Sequence, residues 1–472
     1  MELWAIVPEL VLGGAVLVLL PLGSFLPQGH RRLATAVALA GLAAAAAAAA
    51  RMLGWPARAV FEGTYAVDPF AVYFKLLAIA ATALVLLSTV SFFRHTPREG
   101  QIPALLVLCC LGMVGLSASQ DLALIALFLQ LVTVSSYVLV GSLKTSRPAA
   151  EGALKLFLFS ASAGAIMIYG MALLYGLTGT LAVPELAPSL ARAPAAVALI
   201  AAALVLAGYG FKITLVPFHG WAPDTYQGAA TSIAGYLAVG PKAAALAVLA
   251  RTLFVASGSR AWQPWIAAIA VLTMTAGNLL ALPQTSLKRL LAWSSIAQAG
   301  YLVVGIAAAS KLGTSGLMLY LAVYLFMNLA AFLAVDGLER RYGTDEMERL
   351  HGAGRRAPLT SAALALAILS LAGVPPLGGF VGKTVLLGAA LDSGLRWVAV
   401  AMAVNFVLSL AYYARVLEAL YLRTPQHGPT GTLPHGLLIA LTLLVAGTLA
   451  SGVVPQRLVA FTAKAATLLA GH

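Results

Sequence analysis

Fourteen apolar runs, each about the length of a bilayer-crossing helix, follow one another with only short connections between them. They fall near residues 5–22, 33–53, 70–92, 102–118, 121–142, 153–176, 195–217, 229–256, 264–282, 293–309, 316–337, 359–390, 395–420 and 434–454. About 20 apolar residues, rising 1.5 Å each, cross a hydrocarbon core of roughly 30 Å. Of the 472 residues, 61% are hydrophobic and 10% charged, and no water-filled surroundings could tolerate that much apolar sequence in one chain. The chain therefore reads as an all-α polytopic membrane protein of about 14 transmembrane helices, with no separate soluble domain.

The net charge of +13 comes from 29 Lys+Arg against 16 Asp+Glu. No basic patch is interleaved with polar, base-reading sequence, so a nucleic-acid partner is not indicated. The excess reads instead as the positive charge of cytoplasmic loops. Six basic residues (Lys75, Lys155, Lys212, Lys242, Lys383, Arg415) fall inside or at the mouth of spans, leaving 23. With the N-terminus outside, cytoplasmic loops hold 14 of these, among them Arg31, Arg94, Arg98, Lys144, Lys288, Arg289 and Arg340. The expectation is that both termini lie outside. The opening Met1-Glu2-Leu3-Trp4 lacks the basic start of a cleavable signal, so the first helix is expected to stay. The two cysteines, Cys109 and Cys110, are adjacent, and no CxxC pair exists to hold zinc or an iron–sulfur cluster. The seven histidines (His30, His95, His219, His351, His427, His435 and His472) show no metal-binding spacing. No metal site and no cofactor site are expected in this chain.

What carries chemistry is charge placed where charge is costly. A lysine at the bilayer centre costs roughly 2.5–3.5 kcal/mol on insertion scales. Lys212 lies deep in the seventh run, Lys242 follows Gly240-Pro241 in the eighth, and Lys383 closes Gly378-Gly-Phe-Val-Gly in the twelfth. The plain alternative is a lysine that reaches the headgroups; three such residues in one chain favour a function. Removing water disfavours the charged form of an amine, so a row of buried lysines bridged by water can conduct protons without a cofactor.

Backbone signals sit beside these lysines. Pro217 follows Lys212 by five residues, and Pro375-Pro376 precede Lys383 within a run too long for one straight span. Opened helices at membrane depth line cavities or pack on protein. The two breaks fall in spans seven and twelve, as expected for two inverted five-helix repeats. The expected division is an N-terminal three-helix segment (1–100), a first repeat (101–256), a second (257–422), and a C-terminal helix and tail (423–472). Glu151 and Lys155 stand i, i+4 at the start of span six, either as a surface pair or as part of a proton path. His219 follows the break and either relays protons or bonds freed backbone. Gln130, Thr133 and Tyr137 make a polar stripe on span five. Gly382-Lys383-Thr384 resembles the end of a phosphate loop, but the glycine such a loop needs at 377 is Leu377, so a nucleotide site is rejected.

Four stretches together resemble a known family. They are Phe211-Lys-Ile-Thr-Leu-Val-Pro-Phe-His-Gly-Trp-Ala-Pro-Asp-Thr-Tyr-Gln-Gly-Ala229, Val239-Gly-Pro-Lys-Ala-Ala, Gln284-Thr-Ser-Leu-Lys-Arg-Leu-Leu-Ala-Trp-Ser-Ser-Ile-Ala (with Gly277-Asn-Leu before it), and Gly373-Val-Pro-Pro-Leu-Gly-Gly-Phe-Val-Gly-Lys383. They look like the signatures of the antiporter-like membrane subunits of respiratory complex I, a fold shared with Mrp-type cation/proton antiporters and membrane-bound hydrogenases. The resemblance runs from about residue 65 to 425. Within the family the chain is most similar to the N-type subunits of NADH–quinone oxidoreductase. The L type is much longer, and the M type usually has a glutamate where this chain has Lys383. The three leading helices look bacterial.

The resemblance implies a bacterial inner-membrane location and a proton path over Lys212, Lys242 and Lys383, with Lys155 matching a further family lysine. It implies partners among the other membrane subunits of a complex I-type assembly. NAD, FMN, iron–sulfur clusters and quinone would belong to that parent complex. Two positions depart from the family pattern. A span-five glutamate that normally partners the span-seven lysine is Gln130 here, and Gln298 stands where relatives often have histidine. Glu151 is a candidate substitute for the missing carboxylate. The expected function is proton translocation driven by quinone reduction elsewhere in the complex. The alternatives are a subunit of a cation/proton antiporter, or a structural subunit whose pumping is impaired by Gln130.

Overall fold

In the computed structural model the described residues are 2–25, 32–93, 99–143, 146–256, 261–424, 428 and 432–466. Arg31, Arg94, Arg98 and Lys144, and His30, His95, His427 and His472, lie outside them. Helices α1 (Val7–Phe25), α2 (Arg32–Arg51) and α3 (Pro69–Phe92) lead, with a small hairpin of β1 (Arg58–Val60) and β2 (Tyr65–Val67) between the last two. Next come α4 (Gln101–Ala118), α5 (Leu122–Val140), α6 (Arg147–Thr178), α7 (Val183–Leu190), α8 (Ala195–Ile213), α9 (Ala222–Gly228) and α10 (Thr231–Ala256). Then follow α11 (Gln263–Ala281), α12 (Leu287–Ala307), α13 (Lys311–Tyr342), α14 (Ala353–Arg356), α15 (Pro358–Ala372) and α16 (Gly378–Asp392). The chain closes with α17 (Arg396–Leu417), α18 (His435–Val453) and the amphipathic α19 (Gln456–Ala466).

Among the described residues, thirteen helices are long and apolar enough to cross a bilayer. The twelfth apolar run instead forms two 15-residue helices, α15 and α16, each too short to cross alone. Starts and stops follow local chemistry. Asp68, Asp121, Ser146, Ser286 and Ser310 each accept a backbone N–H of the helix they precede. Gly179 and Gly373 end α6 and α15 at φ of 72° and 89°, a conformation cheap only without a Cβ.

Burial sorts the helices into layers. The most apolar stretches of α10 and α12 are wholly buried and that of α13 nearly so, whereas α1, α2, α6 and α18 leave most of theirs uncovered. A helix apolar all round is an interior helix, and the uncovered leucines and valines of the others suit lipid contact. The sequence expectations differ from this fold in small ways. The hairpin, paired antiparallel with Arg58 opposite Val67, was not anticipated; it adds a bridge from Tyr65 to Ser119 and so seats the start of α3 against the end of α4. Nor was the short α7, whose bridge from Asp121 to Ala182 pins the connection between α6 and α8. Lys288, counted above with loop charges, stands in the first turn of α12 and is buried, bonding the Ala229 carbonyl at 3.0 Å and Glu339 at 3.5 Å. A helix N-terminus drawn inward by packing carries its first residues with it.

Candidate functional site

The three span lysines are 3%, 0% and 2% exposed at Lys212, Lys242 and Lys383; Lys212 and Lys383 stand beside helix breaks and Lys242 inside the unbroken α10. Lys212 occupies the last turn of α8. Thr214 adopts a left-handed φ of 69°, and the chain turns through Pro217 before α9 begins. The carbonyls freed there are taken up locally: Leu215 N–H donates to Gly210 at 2.8 Å, and Trp221 Nε1 to Phe211 at 3.2 Å. The Lys212 ammonium donates to Thr133 and Ser136 of α5, both at 3.3 Å. Those two hydroxyls donate their own hydrogens back to Leu129 and Val132, so each presents only lone pairs to the lysine.

Lys242 follows Pro241 inside α10, and a proline there removes one rung of the helical ladder. Its ammonium donates to both the carbonyl and the hydroxyl of Ser295 on α12, at 2.7 and 2.6 Å. The Tyr324 hydroxyl of α13 donates to the same Ser295 oxygen at 3.0 Å. One turn further along α12, Gln298 accepts a short bond from Tyr320 and donates to the Leu371 carbonyl at 3.2 Å. Lys383 of α16 reaches back to that same carbonyl at 2.6 Å and to Ala372 at 3.1 Å. An ammonium thus caps the C-terminal end of α15, where carbonyls lack intrahelical partners and the helix dipole favours a cation. Its other side faces the rings of Tyr301 and Phe406, at 4.9 and 4.7 Å from their centres. Two strings of polar groups therefore leave Lys242 and Lys383 and come within one turn of each other on α12. Asn328, one turn past Tyr324 on α13, adds a buried amide with no partner among the described residues, the kind of group that holds internal water.

The remaining sequence candidates lie elsewhere. Lys155 is at the surface rather than in the interior: its side chain is 36% exposed and bonds Glu151 and Asp224, both at 2.6 Å, two residues in the wall of a surface cavity. Glu151 is held there and is not among the contacts of Lys212. Gln130 aims its amide at Gly164 of α6, so close that a Cβ on that glycine would sit 2.5 Å from Nε2. Among the described residues no carboxylate bonds Lys212, Lys242 or Lys383. His219 packs its ring on Trp293, centroids 5.6 Å apart, and takes no part in the hydrogen bonds that hold the three lysines.

Asp224, which the sequence reading quoted without a role, organises the cavity. It bridges Lys155 of α6 and Arg289 of α12, the latter at 2.7 Å, while Gln227 also accepts from Arg289 at 2.9 Å. The cavity holds about 580 Å³, with Glu151, Asp224, Lys288, Arg289, Glu339 and Asp345 in its wall. A lone acid two residues after Trp-Ala at a helix break was a readable signal. Burial alone would push its pKa up, but the hydrogen bonds and charges of Lys155 and Arg289 hold it below the ordinary carboxylate value. A depressed pKa contributes stability that is full above the ordinary value of about 4 and lost as pH falls through the lower folded value. Asp224→Asn should therefore lower the melting temperature of the purified protein slightly at pH 7, as partly exposed pairs do, and the gap to the wild type should close on acidification. A gap that is independent of pH would contradict this account.

The chain and its fold have known relatives. Residues 119–409 match the family described as NADH:quinone oxidoreductase/Mrp antiporter, TM. The NADH-quinone oxidoreductase subunit N of Moorella thermoacetica is 39% identical over 456 residues, covering 95% of each chain. A chain of respiratory complex I from Thermus thermophilus, solved with bound aureothin, superposes with a TM-score of 0.83 at 32% identity, covering 97% of this chain and 99% of that one. A chain of the Mrp complex from Dietzia sp. shares the fold, with a TM-score of 0.89 at 23% identity and coverage of 100% and 98%. The motifs around Lys212, Lys242 and Lys383 thus sit in a chain that belongs to the NADH:quinone oxidoreductase/Mrp antiporter membrane family, alongside proteins called subunit N.

Proposed function

We propose that this chain is a non-redox, proton-translocating membrane subunit of a complex I-type NADH–quinone oxidoreductase. Quinone reduction elsewhere in the assembly would drive protons along Lys212, Lys242 and Lys383, with NAD, FMN, iron–sulfur clusters and quinone held by other subunits. The observation that carries the reading is the placement of three buried ammonium groups, two of them beside helix breaks, bound by hydroxyls and carbonyls rather than carboxylates. A cation fixed by a partner acid is a structural pair. A cation held by neutral oxygens can lose its proton without stranding an opposite charge.

In this reading α15 and α16 together form a fourteenth, broken span. Residues 101–256 and 257–422 form two inverted repeats between an N-terminal three-helix segment and a C-terminal helix and tail. Both termini face the periplasm of a bacterial inner membrane, which puts the Asp224 cavity on the cytoplasmic side as the place of proton uptake. Lys155, Glu151 and His219 act there, at the rim rather than on the buried line. Other antiporter-like and small helical subunits are its partners.

Lys212→Ala and Lys383→Ala, in the intact complex reconstituted into vesicles, should lower the ratio of protons pumped to electrons transferred while the subunit stays assembled. Wild-type ratios in both variants would sink the reading. A second reading, impaired pumping, is favoured by Gln130, a neutral amide packed on Gly164 that is not among the hydrogen-bond partners of Lys212. If it holds, the wild-type complex already has a reduced ratio that neither lysine variant lowers further.

A further inference from the structure

Two buried polar side chains without partners lie between the Asp224 cavity and Lys242. Tyr226 stands in α9 beside three residues of the cavity wall, Asp224, Gln227 and Gly228, yet is itself only 1% exposed. Its hydroxyl has no hydrogen-bond partner among the described residues. Asn328 of α13 is fully buried, and neither its Nδ2 nor its Oδ1 has a partner among them. Phe332, one turn past Asn328, packs edge-on against Tyr226 with ring centres 6.2 Å apart. Phe332 also touches α10: a Cβ on Gly235 would stand 2.8 Å from the Phe332 Cβ. Gly235 is one turn past Thr231, a residue of the same cavity wall that donates to Glu339. The cavity wall thus closes on Phe332 from both α9 and α10.

Beyond Phe332 the same face of α13 leads to the lysine. Tyr324, Asn328 and Phe332 recur every fourth residue and so stand one above another on the helix. Tyr324 donates to the Ser295 hydroxyl at 3.0 Å, and that oxygen binds Lys242 at 2.6 Å. Ser295 also comes near the Tyr226 hydroxyl without making a direct bond to it. Contacts therefore run from the cavity wall to Phe332 and from Lys242 to Tyr324, and the gap between them holds the two unpartnered groups. Packing does not account for them. A buried amide without hydrogen bonds weakens a fold, and an apolar side chain of like shape would fill the space without that penalty. Internal water satisfies such groups, each molecule typically making about three hydrogen bonds. An amide and a phenol both donate and accept, so water between them is held without fixing the direction of its hydrogens.

We propose that Asn328 and Tyr226 hold internal water that carries protons from the Asp224 cavity, past Phe332, to Lys242. It rests on the translocation reading above, and it names Lys242 as the lysine at which protons from the cavity join the line. The Phe332 ring is the dry step between the cavity and the held water. The relay conserves every atom. Protonated water at Asn328 gives a proton to the Tyr324 oxygen, the tyrosine's own hydrogen passes to Ser295, and the serine's hydrogen passes to the neutral Lys242 amine. One O–H bond of the protonated water breaks and one N–H bond forms at Lys242, which becomes the ammonium bonded to Ser295. Both hydroxyls end with one hydrogen each, and water from the cavity supplies the next proton.

The test uses the intact complex reconstituted into vesicles, with the proton-to-electron ratio read by a trapped pH dye and assembly verified by gel. Tyr226→Phe removes only the hydroxyl, and Asn328→Leu replaces the amide with an apolar group branched in the same way. With no protein partner to lose, both variants should assemble at wild-type levels. Each should lower the ratio by the same step as Lys242→Met, and either combined with K242M should lower it no further, since all interrupt one path. Asn328→Ser, which still holds water, should recover most of the ratio that N328L loses. A wild-type ratio in both Y226F and N328L, beside a lowered one in K242M, overturns this proposal and leaves the translocation reading standing. A ratio in N328S no higher than in N328L overturns it too, because held water would survive the smaller polar side chain. Failure of Y226F to assemble also overturns it, since the hydroxyl would then be holding protein rather than water. A wild-type ratio in K242M overturns the underlying reading.

Discussion

Lys242→Met should abolish the protons pumped through this subunit while the assembled complex continues to reduce quinone. Methionine is unbranched and of similar length, so the space inside α10 stays filled. The lost interactions are two hydrogen bonds from the ammonium to Ser295. Losing bonds to a charged donor costs roughly 1.5–3 kcal/mol each, but the desolvation of the lysine is relieved at the same time. The Ser295 hydroxyl keeps its bond from Tyr324 at 3.0 Å, so no new orphan is left on that oxygen. The net change in stability should therefore be small and the change in transport complete. The check is the initial rate of vesicle acidification divided by the rate of quinone reduction, measured on complex whose subunit content is verified by gel. A pumping ratio equal to wild type would remove Lys242 from the path.

Gly379→Ala should be the most damaging small substitution in the second half of the chain. Gly379 is the second residue of α16, and a Cβ there would stand 1.7 Å from the Ser370 carbonyl oxygen of α15. The obstacle is helix backbone, so relief requires α16 to move away from α15. Overpacking of this kind costs about 3 kcal/mol. The same movement carries Lys383 off the carbonyls of Leu371 and Ala372, so pumping should fall beyond the loss of assembled protein. Gly388, further along the same helix, is the control: a Cβ there meets nothing within 4 Å. Gly388→Ala should be neutral or slightly stabilising, since alanine favours helix over glycine by about 1 kcal/mol. Equal melting temperatures for G379A and G388A would show that the contact between α15 and α16 is looser than drawn here.

Apolar length and spacing alone located the spanning helices, because a helix that must satisfy every backbone group internally leaves an uninterrupted apolar signature. The helix breaks were legible for a similar reason: Pro217, Pro375 and Pro376 cannot donate to a helical ladder wherever they fall. Lys212, Lys242 and Lys383 stood out because charge inside an apolar run is costly in any fold. Other features needed the tertiary structure. Ser295 and Ser136 are ordinary residues in sequence, and only the packing of α12 against α10, and of α5 and α8 against α10, turns their hydroxyls toward a lysine. Lys155 and Lys212 look alike as lysines in or near apolar runs, yet one is partly exposed and paired with Asp224 and Glu151 and the other is enclosed. Depth along a helix is local, but enclosure depends on neighbours distant in the chain. Glu9 and Lys75 are 66 positions apart and each reads as a residue near the end of a span. They pair at 2.9 Å because α1 and α3 both pack on α4, an arrangement no local pattern encodes.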